Sequence, residues 1–499
     1  MLFNSTQFCL FFFPLVTALY FLLPHRWRWL LLLAASCWFY MAFVPLFILI
    51  LAFTIGVDYV AGHWIERSQG ARRKFFLVAS IVANVGVLAA FKYWDFLNGN
   101  LSDLLGTFGI HYHAAKLHEW TFWGWLPAGL VLPIGLSFHT FQSLSYTIEV
   151  YRGHQKAERH FGVFALYVMF YPQLVAGPIE RPANLLNQLN ATGATGIRSR
   201  FEYDRVVWGL KQMLWGFFKK LVIADRCGAV VDQVYGQLGH YEAPSLLLAT
   251  YLFAIQIYCD FSGYTDIALG AARVMGFDLM VNFRTPYRSA SISEFWSRWH
   301  ISLSTWFRDY LYIPLGGNRV VRWRMFINLL VVFLVSGLWH GANWTYVIWG
   351  GMHGTYLVLA LLFAGFWRRA GRITGPARWP RIKRMVNVII TFHLVLLAWV
   401  FFRANTVQDA FTWYERMVST PWHASDLLGL YRGMNTSLLD VTILVTGLFL
   451  FIDPVFDAWI KRERPWPSGT RGHIAFASVA VAILLFGYFG ATSFIYFQF

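Results

Sequence analysis

Apolar stretches about as long as a bilayer's hydrocarbon layer is thick recur along almost the whole chain, near residues 8–23, 29–43, 46–62, 75–94, 125–150, 386–402, 438–458 and 473–490. A helix needs about 20 mostly apolar residues to cross that layer. Lipid offers no partner to an unpaired backbone N–H or C=O, so stretches of this kind fold as helices. With the less regular middle of the chain included, roughly ten to twelve spans can be placed. The expected fold class is an all-α polytopic membrane protein, with residues 1–499 forming a single integral-membrane domain.

Composition agrees. Of 499 residues, 57% are hydrophobic and only 13% charged, and the mean hydropathy is +0.48, which excludes a water-soluble globular protein. The net charge of +16 does not mark a nucleic-acid binder, because the basic residues sit in short loops at 25–28, 67–74, 152–159, 284–324, 368–384 and 461–471. The positive-inside rule assigns those loops to the cytoplasm. The less basic loops at 98–120, 230–245 and 404–437 then face the other side, as do both termini. The first residues lack a basic n-region and a cleavage site, so 8–23 is expected to be a retained span kinked at Pro14.

The middle of the chain is less obedient. If 161–176, 206–223 and 246–275 each crossed once, the basic loop at 284–324 would fall on the wrong side. One of them is expected to re-enter without crossing, and Pro172, Gly177, Pro178 and Pro182 point to the first. Cys9, Cys37, Cys227 and Cys259 form no CxxC pair, and His111, His113 and His118 read as a solvated loop, so no metal site is expected. No GxGxxG or P-loop pattern occurs.

Charge, histidine and aromatic residues concentrate in 294–318, EFWSRWHISLSTWFRDYLYIPLGGN. Ser291 with Glu294 has the form of a capping box, so a helix is expected to start there. Phe295, Trp299, Leu303, Trp306 and Tyr310 recur at helical spacing as an aromatic stripe, with Glu294, Arg298, Ser302, Thr305 and Asp309 as a polar stripe beside it. His300, with Ser304, Phe307 and Leu311, projects from the other side of the aromatic stripe. Glu294, Arg298, Arg308 and Asp309 can form an ion-pair network at the interface, and the turn 314–318 closes with Gly316, Gly317 and Asn318.

A second histidine, His340, lies forty positions on in SGLWHGAN, residues 336–343. Residues 325–335 and 344–363 read as a hairpin whose apex stops within the bilayer and presents His340 to a cavity. A neutral imidazole with a reference pKa of about 6.5 can take a proton from a hydroxyl, the role of a general base in acyl transfer. Trp339 and Asn343 stand beside it, as a tunnel wall and an orienting amide. Asp260 and Asp266, in YCDFSGYTD at 258–266, are either functional carboxylates or neutralise Arg298 or Arg308. His353 and His393 read as packing residues.

WHISLSTWFRDYLYIPLGGN at 299–318 and SGLWHGANWTYVIWGGMHG at 336–354 resemble the signature of the membrane-bound O-acyltransferases. DFSGYTD at 260–266, QLVAGPIERP at 173–182 and YFQF at 496–499 are similar to that family's bacterial polysaccharide branch. The resemblance implies a ring of helices, with re-entrant and interfacial ones, around a central tunnel from a cytoplasmic donor site to an extracytoplasmic opening. It implies that His340 and His300 are the catalytic positions. Trp299, Ser302, Ser304, Trp306, Arg308, Asp309, Tyr310, Asn318, Trp339, Asn343, Asp260 and Tyr264 are expected along the tunnel. It further implies acetyl-CoA as donor substrate with no bound cofactor, a periplasmic partner of the SGNH hydrolase type, an exopolysaccharide such as alginate as final acceptor, and the bacterial inner membrane as location. Two other readings stand beside it: transfer of D-alanine or another acyl group from a carrier protein, and a polysaccharide or lipid transporter without acyl chemistry.

Overall fold

The computed structural model describes residues 1–112, 133–175, 177–191, 196–365, 380–420, 422–427, 430, 436–460, 469–489 and 494–495, and contains no strand among them. Among these residues seven helices are long and apolar enough to cross a membrane: Pro45–Arg67, Gly70–Thr107, Ala243–Val274, Arg322–His340, Trp344–Leu362, Pro380–Arg403 and Ser437–Ile460. Two shorter apolar helices, Phe8–Leu22 and Thr470–Phe486, accompany them. The protein is a multi-pass all-α membrane protein with fewer full-length spans in view than the ten to twelve expected.

Part of the difference lies in the stretch expected to re-enter. It is broken at Phe170 into helices of nine and four residues, Phe161–Met169 and Tyr171–Leu174. At 1.5 Å per residue the longer rises only about 14 Å, too short to cross. The loop expected from residue 98 is instead helical to Thr107, continuing through a π turn at Ala89–Tyr93. Pro14 falls in the first turn of its helix, where a missing N–H costs nothing, directly after the π turn Phe8–Phe12.

Contacts divide the chain into two compact units, residues 1–210 with 268–280, and residues 211–267 with 281–499. The first holds α1 (Phe13–Leu22), α2 (His25–Met41), α3 (Ile48–Arg67), α4 (Gly70–Leu88), α5 (Trp94–Thr107), α6 (Leu136–Arg152), α7 (Phe161–Met169), α8 (Tyr171–Leu174) and α9 (Leu185–Asn190), with α10 (Tyr203–Phe217) as far as Leu210. Two of its buried carboxylates, Asp58 and Glu180, are held by hydrogen bonds. Asp58 of α3 accepts from the Ser80 hydroxyl at 2.6 Å and the Asn84 amide at 2.9 Å, both on α4. Glu180 accepts from the Met280 N–H at 2.5 Å and the Asn184 amide at 2.6 Å. Burial nonetheless pushes its carboxyl up to about 7.

The second unit holds α11 (Asp225–Gly236), most of α12 (Ala243–Val274), α13 (Ile292–Arg298), α14 (Ile301–Phe307), α15 (Arg322–His340), α16 (Trp344–Leu362), α17 (Pro380–Arg403), α18 (Val407–Ser419), α19 (Thr436–Ile460) and α20 (Thr470–Phe486). Small residues set its tightest contacts, as packing between helices in lipid requires. A Cβ on Gly337 of α15 would lie 2.2 Å from the Tyr346 carbonyl oxygen, and one on Gly350 of α16 would lie 2.2 Å from that of Phe333. Gly216 touches Gly263 of α12 in the same way, with 2.5 Å left for a Cβ. Close approach there brings the π turn Phe218–Ala224 onto α12, where Lys220 pairs with Asp260 at 2.7 Å and Lys219 pairs with Asp266. Those lysines, and neither Arg298 nor Arg308, neutralise the two carboxylates.

Candidate functional site

Ser291 does start a helix. Its hydroxyl accepts from the Glu294 N–H at 3.1 Å, and the Glu294 carboxylate accepts in return from the Ala290 N–H at 2.7 Å. The single helix expected from there is not formed, because α13 ends at Arg298 and His300 adopts a left-handed backbone, φ 43° and ψ 57°, before α14 begins at Ile301. That conformation is costly for a residue with a Cβ and persists only where neighbours impose it. Asn282 imposes it here: its carbonyl accepts from the Ile301 N–H at 2.9 Å, and its side-chain oxygen accepts from the Ser302 hydroxyl at 2.6 Å. Asn282 lies eighteen positions before His300 in a segment without periodicity, and sequence reasoning missed it.

The break separates the expected stripes. Trp299 joins an aromatic wall with Phe283, Phe295 and Trp399 at ring separations of 5.0 to 5.5 Å. His300 is fully buried, with the Phe261 ring edge-on at 4.6 Å. Burial holds the His300 imidazole well below the usual histidine range, so it is neutral at neutral pH. The expected ion-pair network is two separate groups: Glu294 with Arg298 at 2.7 Å and Arg384 at 3.4 Å, and Arg308 with Asp309 at 2.8 Å.

His340 closes α15. Its Nδ1 lies 2.7 Å from the Ser336 carbonyl oxygen one turn earlier. A carbonyl only accepts, so the assigned tautomer carries its proton on Nδ1 and its lone pair on Nε2. Trp349 and Phe402 flank the ring at 4.8 and 5.6 Å. Trp339 joins the two histidines, 5.0 Å from His340 and 6.2 Å from His300 between ring centres. The hairpin expected to stop within the bilayer is built from two 19-residue helices, each about 28 Å long. His340 therefore stands at the end of a full-length span.

A cavity of about 420 Å³ lies against the backbone segments that carry this pair, with neither histidine in its lining. Ser304, Thr305, Phe307 and Arg308 line it from the α14 side, with Trp296 from α13 and Val332, Phe333 and Ser336 from α15. Ile301 and Ser336 place its walls on the two backbone segments that orient His300 and His340. The Arg308 side chain is 60% exposed at this cavity.

The remaining expected residues divide. Ser304 bonds the Trp299 carbonyl at 3.1 Å as well as lining the cavity. Trp306 and Tyr310 pack on each other at 5.2 Å, and Asn318 is exposed in its turn. Asn343 is committed elsewhere: its oxygen caps α16 through the Thr345 N–H, and its amide donates to the Asn405 carbonyl, both at 3.0 Å. It is thus a helix cap, whereas the Trp339 ring lies within 6.2 Å of both histidine rings. Asp260 and Tyr264 face the segment Phe494–Ile495.

His393 is glue between helices, bonded to the Tyr251 hydroxyl at 2.6 Å and the Ile389 carbonyl at 2.8 Å. His353 is buried among Phe295, Trp296 and Trp349, with no hydrogen-bond partner for either nitrogen among the described residues. His113 and His118 lie outside the described residues, and no group of three metal-ligating side chains occurs within them.

Comparison with known proteins places these residues in a family. The model of the membrane-bound O-acyltransferase family matches residues 17–404. A protein named probable alginate O-acetylase, from Azotobacter vinelandii, is 38% identical over 457 residues, 91% of this chain and 84% of the relative. The peptidoglycan O-acetyltransferase of Helicobacter pylori is 32% identical over 452 residues, covering 84% and 80%. The teichoic acid D-alanyltransferase of Bacillus subtilis is 25% identical over 358 residues, covering 70% and 83%.

Proposed function

Since the chain belongs to the membrane-bound O-acyltransferase family, and is an O-acyltransferase built on membrane-spanning helices, we propose that it moves an acetyl group from acetyl-CoA on the cytoplasmic side of a bacterial inner membrane toward an exopolysaccharide of the alginate type. A periplasmic SGNH-type protein is the immediate hydroxyl acceptor in this reading. The bond from His340 Nδ1 to the Ser336 carbonyl carries the proposal, because it aims a lone pair, at Nε2, away from its own helix. Support for acetyl as the cargo comes from the relatives named as O-acetylating enzymes, which are more similar to this chain than the D-alanyl relative quoted.

In this mechanism the acetyl thioester enters the 420 Å³ cavity, with Arg308 suited to the donor's phosphates. His340 Nε2 takes the proton of the acceptor hydroxyl as its oxygen attacks the thioester carbon. The carbon–sulfur bond breaks, and the proton passes to the departing thiolate, giving CoA thiol and an acetyl ester. Neutral His300, held by its left-handed turn, and the Trp339 indole supply hydrogen-bond donors for the charge that develops on the carbonyl oxygen. Oxygen-to-carbon attack on a bound thioester leaves no need for a covalent enzyme intermediate, and the contact His340 makes with Ser336 is to its carbonyl.

His340→Ala in the full chain, purified in nanodiscs and assayed with the periplasmic acceptor protein present, is expected to lower CoA release from acetyl-CoA by about 10²- to 10⁴-fold, the usual contribution of a general base. Unchanged release from a folded variant refutes the assignment. Release from a D-alanyl carrier in place of acetyl-CoA would move the cargo to D-alanine.

A further inference from the structure

One stretch of chain is fastened to the wall of the histidine site by contacts the mechanism does not use. The Ile495 N–H donates to Asp260 Oδ2 at 2.7 Å. The other oxygen of that carboxylate takes Lys220 Nζ at 2.7 Å, and Lys220 is shared with Asp225 at 2.7 Å. The same stretch is tied earlier, by the Tyr488 N–H to the Leu221 carbonyl at 2.8 Å and by Arg226 Nε to the Phe486 carbonyl at 2.5 Å. Every fastening runs to the π turn 218–224, the residues directly after it, or α12. A buried lysine with two carboxylates contributes little net stability, because removing the charges from water offsets their attraction. Its geometric effect is definite: it fixes where Ile495, and with it Phe494, can lie.

Phe494 is 1% exposed. Its ring packs on Tyr264 at 4.6 Å and on Phe261 at 5.8 Å, and Phe261 is the ring set edge-on against His300 at 4.6 Å. His300, Phe261 and Phe494 therefore form successive apolar layers on the α12 side of the site. A base able to activate a hydroxyl activates water equally well, and water attacking a thioester wastes the donor. An acyltransferase of this kind must keep its reaction centre dry on every side except the one the acceptor enters.

We propose that Phe494 is a specificity-determining residue that seals the His300 side of the site against water, and that Asp260 is the positioning residue that holds it there. The proposal rests on the assignment of His300 and His340 as the reaction centre. Opening the seal admits water, which replaces the acceptor hydroxyl: the carbon–sulfur bond breaks, a carbon–oxygen bond to water forms, and acetate and CoA thiol leave.

Two readouts on the full-length protein in nanodiscs test this. The first is acceptor-free acetate release from acetyl-CoA. Phe494→Ala is expected to raise it about tenfold over wild type, Phe494→Leu to raise it less, and Asp260→Asn to raise it in the same direction. His340→Ala added to Phe494→Ala is expected to abolish the gain. A gain of His340-dependent hydrolysis cannot come from a protein that has merely lost structure. The second readout needs no donor: the rate at which diethyl pyrocarbonate labels His300, followed by mass spectrometry, is expected to rise in Phe494→Ala and Asp260→Asn. Labelling and hydrolysis both unchanged, or hydrolysis lowered with labelling unchanged, overturns the seal. Labelling that rises without hydrolysis, in a variant whose thermal midpoint matches wild type, sustains the seal and overturns the assignment of the reaction centre; with a lowered midpoint it overturns the seal.

Discussion

Replacing Gly350 by alanine sets a Cβ 2.2 Å from the Phe333 carbonyl oxygen, where real Cβ atoms essentially never come closer than 3.0 Å. The obstacle is backbone on a neighbouring helix, so no rotamer change relieves it, and α15 and α16 must part by about 1 Å or distort. Overpacking of this size costs about 1–3 kcal/mol. The consequence for the reaction is larger. His340 is the last residue of α15, and Trp349, the residue before Gly350, packs on its ring at 4.8 Å. A misplacement of about 1 Å at a reacting group can cost about 10²-fold in rate. The check is the thermal midpoint in nanodiscs together with acyl transfer per mole of folded protein. Gly351→Ala is the matched control, because the atom nearest its Cβ is a Leu334 methyl at 3.4 Å, ordinary contact with a mobile group. Gly350→Ala is expected to lose both stability and rate while Gly351→Ala keeps both. Equal behaviour of the two variants would refute the claim that this glycine contact positions His340.

Asn282→Ala removes the acceptor of the Ser302 hydroxyl, a loss of about 1 kcal/mol. The fall in transfer rate is expected to exceed that change, because the His300 turn loses the side-chain half of its anchor, and a wild-type rate would show that the Ile301 N–H bond to the carbonyl of residue 282 holds the turn by itself. Glu180 supplies a pH dependence: its folded value of about 7 lies above its ordinary 4.5, so the native state binds this proton more tightly than the unfolded chain. The resulting stabilisation, roughly 3 kcal/mol, is full below pH 4.5 and is lost as pH rises through 7. Unfolding midpoints on either side of that window should show it, and Glu180→Gln should flatten the slope; an unchanged slope in that variant would assign the dependence elsewhere.

Much of the site was legible before any coordinates. Ser291 and Glu294 mark a helix start by residue type and spacing alone, and the start is where they place it. His340 and Ser336 are four apart on an apolar helix, the spacing at which a side chain reaches back to a carbonyl of its own helix. The helix running on from Ser291 was over-read, because periodicity registers which residues are buried and is silent on one backbone turn forced by a distant asparagine. The amide of Asn343, expected to orient the site, is spent on a helix cap instead, since an Asn before a helix is as good a cap as it is a ligand.

Local pattern determined the helices, their membrane setting and the two histidines, because a chain in lipid must satisfy its backbone within each helix and carries that demand in runs of about 20 apolar residues. Tertiary structure alone decided which charges pair with Asp260. Asp260 is separated in sequence from its partner Lys220 by forty positions and from Ile495 by 235. Nothing in composition prefers that lysine to the nearby Arg298. The choice falls to glycine contacts that let two helices touch, since ion pairs and hydrogen bonds act over a few ångströms in space whatever the distance along the chain.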